Sequence, residues 1–150
     1  MEFKTKAQEE VYQRVNGFLT EIFGEMIKKP DGHPVFLLMH GTALTQIVIL
    51  PWSDDDAVMM VRAYVNYGAD LAPDLLKFLL RKNAEARFGA FRIDSDGDIC
   101  FEYSIPGMTC VKEEVKAAVL AVASTADKYD EIIMERWGGM RDEDRMKQMR

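Results

Sequence analysis

A chain of 150 residues and 17.1 kDa suits one domain, large enough to bury a core without disulfides or a structural metal. Its 48% hydrophobic and 29% charged residues argue against extended disorder, and a net charge of -6 with a pI near 5.0 sets the surface against phosphate backbones and anionic lipid. No nucleic-acid or membrane partner is therefore expected, and no apolar run approaches the ~20 residues of a membrane span. The opening MEFKTKAQEE has no apolar leader run, so the chain reads as cytoplasmic.

From residue 5 to about 29, Val11, Val15, Phe18, Leu19, Ile22, Phe23 and Met26 recur at three and four, with charged residues between them. This spacing predicts an amphipathic helix, ended by Pro30-Asp31-Gly32, with Gly17 marking a close crossing. Three strands follow, at residues 34 to 39, 44 to 52 and 57 to 67, joined by gaps short enough to require an antiparallel meander. PVFLLM and IVIL are apolar on both faces, so each side of these strands is expected to be covered. In the third strand Met59, Val61, Ala63 and Val65 make one face, and Val58, Met60, Arg62, Tyr64 and Asn66 the other. That second face is apolar enough to want a partner and polar enough to survive partial exposure.

Pro73 beside Asp74 opens a second helix with the stripe Leu75, Leu76, Leu79, Leu80, running to about residue 86. Two alternating runs come next, around a turn at Asp96-Gly97. A three-residue loop Ser95-Asp96-Gly97 pairs Phe91 with Phe101 and Ile93 with Ile99, keeping one face apolar, and it needs Gly97 at positive φ. Thr109 is the expected N-cap of a third helix, from about 110 to 137, ended by Gly138-Gly139. Its stripe is Val111, Val115, Ala118, Val119, Val122, Ala126, Tyr129, Ile133 and Trp137. Residues 139–150 read as a charged, loosely helical tail beyond a single domain of residues 1–138. The fold class is thus α+β in the order α-β-β-β-α-β-β-α, an antiparallel sheet covered by helices.

No motif names a chemistry. Asp94-x-Asp96-x-Asp98 has the first ligand spacings of a calcium loop, yet Ile99 stands where glycine is needed and Ile105 where glutamate is, so it reads as a solvated turn. Cys100 falls on the outer face of its strand and Cys110 precedes a helix; with no CxxC or metal spacing, both read as free thiols. There is no GxGxxG, GxxxxGK[ST] or GxSxG, so no cofactor is expected. The alternative is a small enzyme using carboxylates or Cys100, with His40 as a partner that spacing alone leaves open. Met39, Val58, Met60, Arg62 and Tyr64 are the candidates for a protein-binding or dimer patch, since methionine repacks against varied partners.

The segment LLKFLLRKNAEARFGAFRIDSDGDICFEYSIPG and the helix beginning VKEEVKAAV, in this element order, resemble the YbjN domain family, within the wider type III secretion chaperone-like fold. The most specific part is the leucine-rich helix ending near Asn83, followed by Phe88-Gly89-x-Phe91, a strand, a glycine turn and a second strand. The resemblance implies a small cytosolic, non-enzymatic protein, often homodimeric, that presents apolar surface to an extended segment of a client or to a regulatory partner.

Overall fold

The structure, a computed structural model, describes residues 1–149; Arg150, the last residue of the expected tail, lies outside the described residues. Thr5 opens helix α1 (Lys6–Phe23), its hydroxyl accepting from the Gln8 N–H at 3.0 Å. The helix buries Val11, Val15 and Leu19. It stops at Gly24, whose φ of +56° no ordinary residue adopts readily, rather than at Pro30. Lys28 is then extended, exchanging two 2.9 Å backbone hydrogen bonds with Leu37. Gly17 marks no crossing: a Cβ there would meet nothing within 4 Å.

Strands β1 (Val35–His40), β2 (Ala43–Pro51) and β3 (Ala57–Asn66) form the expected meander. Helix α2 (Pro73–Glu85) leads to β4 (Ala90–Ile93) and β5 (Ile99–Pro106), and β5 enters beside β3, giving one antiparallel sheet of order β1-β2-β3-β5-β4. The hairpin has the expected register, Phe91 opposite Phe101 and Ile93 opposite Ile99. Its loop is closed by the Asp94 N–H donating to the Asp98 carbonyl at 3.0 Å, with Gly97 at φ +83°. Asn83 does more than end its helix. Its amide oxygen accepts from the Phe91 N–H at 2.6 Å and its amide nitrogen donates to the Phe91 carbonyl at 3.3 Å.

Helix α3 (Lys112–Trp137) begins later than Thr109 suggests, because the Glu114 carboxylate accepts from the Val111 N–H at 3.0 Å and makes Val111 the cap. Val111 is consequently exposed, whereas Val115, Ala118, Val119, Val122, Ala126 and Ile133 are fully buried. Together α1 and α3 cover the sheet face bearing Phe36, Ile47, Ile49, Met59, Val61, Ala63, Val65 and Phe101, which forms one core. In α2 only Leu75 and Leu79 of the expected stripe are buried; Leu76 and Leu80 face outward, because the helix rests on the narrow flank formed by β4 and the end of α3.

The segment after Gly139 returns to the sheet. Met140 and Tyr67 exchange backbone hydrogen bonds of 2.8 and 2.9 Å, and helix α4 (Asp142–Gln148) follows. The buried Asp142 carboxylate accepts from the Leu44 N–H at 2.9 Å and the Tyr67 hydroxyl at 2.7 Å.

Beside it, the β1–β2 turn is held to α3 through Thr42. Its hydroxyl touches both the Asp127 carboxylate at 3.0 Å and the Asp130 carboxylate. One hydroxyl carries one proton, so two ionised acids leave one contact without a hydrogen. Burial pushes the Asp130 carboxyl above its ordinary range, and Asp127 adds to this; the Thr42 hydroxyl, the Glu131 N–H and Arg141 pull the other way. A carboxyl raised in the folded state contributes its stability in full below the unfolded value near 3.8 and loses it as pH rises through the folded value. Asp130→Asn is therefore expected to stabilise the protein above pH 7 by about 1 kcal/mol, a few degrees in Tm. The gain should vanish towards pH 3. Thermal melts across that range check it, and an asparagine variant that melts lower at pH 8 would rule out the shared proton.

Candidate functional site

Alternation along β3 puts Val58, Met60, Arg62 and Tyr64 on the face opposite α1 and α3, and each remains half-buried. The cross-strand registers extend this face into rows. Leu50 lies beside Val58; Val35, Val48, Met60 and Ser104 make a second row; Leu37, Gln46, Arg62, Glu102 and Ala90 a third. Met39 belongs to the same face on β1 and is 45% exposed. The sequence led us to expect cover on both sides of β1 and β2; the chain's helices supply it on one.

The middle of the open face is polar. Glu102 is buried there between two arginines, with Arg62 at 3.5 Å and Arg92 in direct contact with its other oxygen. Arg62 also donates to the Gln46 amide oxygen at 3.2 Å and lies over the Tyr64 ring, 5.4 Å from its centroid. Tyr64 in turn stacks on Tyr67 at 5.0 Å, and Arg145 of α4 lies over Tyr67 at 4.3 Å. The Tyr64 hydroxyl donates to Asp94 at 2.9 Å; burial first and then that carboxylate push it up to about 12, so it stays protonated. This stack holds the tyrosine rings at fixed positions on the face.

The Cys100 and His40 of the enzyme alternative are not brought together. Cys100 is on the outer face, as expected, but buried, and burial followed by the Glu102 charge pushes its thiol up to about 11, which leaves little thiolate at neutral pH. His40 and Cys100 are on β1 and β5 with β2 and β3 between them, some ~14 Å of sheet. Cys110 is also buried, with its thiol donating to the Gly107 carbonyl at 3.1 Å. The Asp94, Asp96 and Asp98 carboxylates come within 4.8 Å of one another, yet two of them already accept hydrogen bonds from protein groups. Asp94 accepts from the Asp96 and Asp98 N–H groups and from Tyr64, and Asp98 accepts from the Gly68 N–H.

A second apolar area lies at the β4 edge of the sheet, where Arg92 borders both it and the open face. Leu76, Leu79, Leu80, Phe91 and Ile93 line a cleft of about 300 Å³ between α2 and β4, with Leu80 69% exposed. The sequence did not single out this cleft, nor the Arg62–Glu102–Arg92 cluster.

A family model described as T3SS (YopN, CesT) and YbjN peptide-binding chaperone 1 matches residues 9–145. Among solved structures, the chain is similar to one from the crystal structure of the ExsC-ExsE complex, at 14% identity and a TM-score of 0.62, over 84% of this chain and 95% of that one. It is also similar to one from the HopA1-SchA chaperone-effector complex, at 11% identity and a TM-score of 0.59, over 82% and 96% of the two chains. No curated protein matches the sequence. These likenesses establish an α+β fold shared with chains of those two complexes, and no helix of the described residues is long and apolar enough to cross a membrane.

Proposed function

This chain belongs to the T3SS (YopN, CesT) and YbjN peptide-binding chaperones, and from that premise we propose that it is a non-enzymatic, chaperone-like module that holds an extended client segment in the cytoplasm. The observation that carries the reading is the half-buried sheet face of Met39, Val58, Met60, Arg62 and Tyr64, apolar at both ends and opposite the helices. The chaperone–effector pairing in one of the two similar structures supports it by analogy. The second apolar area, around Leu76, Leu80 and Ile93, supports a homodimer formed at the β4 edge, beside the client face.

Two substitutions separate these roles. Met60→Asp is expected to lower capture of peptides from a displayed random library at least tenfold with Tm unchanged, since a charge placed on an apolar contact surface must be desolvated. Leu80→Asp is expected to reduce a light-scattering mass of about twice 17.1 kDa to that of one chain while peptide capture persists. A library from which nothing is enriched would count against the chaperone reading, and a wild type with the mass of a single chain against the homodimer.

A further inference from the structure

Helix α2 meets α3 as well as β4, through Phe78 against Tyr129 and Trp137, and a hollow of about 390 Å³ lies between the two helices. Lys77, Arg81 and Lys82 of α2 and Arg136 of α3 line it, with two carboxylates, Asp74 and Glu85. That excess of cations is the reverse of the chain's own balance, 19 basic residues to 25 acidic. Glu131 and Glu135 of α3 are exposed and do not line the hollow.

Both carboxylates are already engaged. Asp74 accepts from the Trp137 indole N–H at 3.1 Å, and Glu85 pairs with Lys82 at 3.1 Å. Among the described residues, Lys77, Arg81 and Arg136 make no ion pair, and all three are exposed. Elsewhere on the surface a helical cation is matched by an acid one turn away, as in Lys6–Glu10 and Lys147–Glu143. Lys77 and Arg81 are one turn apart and alike in sign, a pairing that works against its own helix. Arg136 is held over the Phe78 ring at 5.2 Å and the Trp137 ring at 4.2 Å. A guanidinium resting on aromatic rings keeps its N–H donors free along its edge, so a ligand finds them in place.

Unmatched lysine and arginine side chains bind carboxylates through charge-assisted hydrogen bonds. A nucleic acid fits less well, because Arg136 and Lys82 already cover the aromatic faces on which bases would stack, and a long phosphate chain would run onto a surface of net charge -6. Lys77 and Arg81 are separated by ~6 Å along the helix axis, close to the ~6.7 Å between alternate side chains of an extended segment. We propose that this α2–α3 hollow docks an extended acidic segment of a protein partner, with carboxylates at alternate positions taken by Lys77 and Arg81 and further donors supplied by Arg136. The surface shares no residue with the client face and does not rest on the chaperone reading.

The test is fluorescence anisotropy of three labelled probes against the full-length protein at low ionic strength: a nine-residue alanine-based peptide carrying Asp-x-Asp, the same peptide with Asn-x-Asn, and a single-stranded oligonucleotide of nine nucleotides. Wild type is expected to hold the Asp peptide about tenfold or more tighter than the Asn peptide, a difference that shrinks as salt is added. The double variant Lys77→Glu, Arg81→Glu is expected to abolish the difference with its light-scattering mass unchanged. Both side chains are exposed and without an ion-pair partner, so no buried group loses one. Should that variant melt lower than wild type, Lys77→Gln with Arg81→Gln decides instead. Met60→Asp, on the client face, is expected to leave the difference intact. Equal binding of the two peptides, or an acid preference that survives the double variant or is lost in Met60→Asp, would overturn the proposal. Tighter binding of the oligonucleotide, lost in the double variant, would assign the hollow to phosphate instead; a double variant whose mass falls by half would assign it to a second copy. Either result removes the acidic protein segment.

Discussion

Phe101→Ala is expected to cost about 3–5 kcal/mol of folding stability, enough to consume a large part of a typical domain's margin. Phe101 is among the largest fully buried side chains, and its ring meets Phe91 edge-on at 5.0 Å, while Phe91 meets Tyr129 of α3 at 5.5 Å. Removing it deletes one partner from a chain of aromatic contacts that ties the β4–β5 hairpin to the long helix. The space left cannot readily collapse, because Phe101 stands between Ala63 of β3 and Phe91 of β4, both held by backbone ladders. Urea denaturation should show a lower midpoint at unchanged slope, with Phe101→Leu falling between the two. A loss under about 1.5 kcal/mol would mean that this hairpin is not the centre of the core.

Gly139→Ala is expected to cost about 3 kcal/mol or more, combining backbone strain with overpacking. Gly139 has φ +82°, and a Cβ there would lie 2.0 Å from Asn66 Oδ1, 2.7 Å from the Tyr67 carbonyl and 2.8 Å from the Ala69 nitrogen. Two of those neighbours are backbone, so no side-chain rotation relieves them. The substitution would push apart the Met140–Tyr67 bridge and with it the Asp142 contacts to Leu44 and Tyr67. Gly17→Ala is the matched control: it lies on the exposed side of α1 with nothing near its Cβ, and alanine should stabilise the helix by about 1 kcal/mol. Parallel melts of the two variants check both signs, and a Gly139→Ala protein that melts like wild type would contradict this packing.

Features that depend on neighbours along the chain are legible without coordinates. The two faces of β3, the three-residue turn with Gly97 at positive φ, and the pairing of Phe91 with Phe101 all follow from period-two alternation and one glycine. Those features, with the resemblance of residues 75–107 to the YbjN family, point to the peptide-binding chaperones that the family match establishes.

What is not legible depends on pairings distant in sequence. Glu102 looks like any outward strand residue until β5 is placed beside β3, which sets it opposite Arg62, and beside β4, which brings Arg92 within reach. The same holds for Asp130 and Asp142, which meet Thr42 and Leu44 from nearly a hundred residues away. The α2 stripe misleads for a related reason: a leucine row shows that a helix packs, but not how narrow a surface it packs on. Gly24 and Pro30 both end helices, and nothing local says which acts first.

The two margins of the sheet carry a consequence for how this molecule keeps company. On β1 the main chain of Lys28 already occupies Leu37, and on β4 the carboxamide of Asn83 stands in for a sixth strand at Phe91. A foreign ribbon trying to zip onto either rim finds those rungs taken, which is the usual protection against fibrillar stacking. The molecule is thus able to leave a greasy plane uncovered in a crowded solution, since the route by which such planes most often seed insoluble polymers is plugged at both ends.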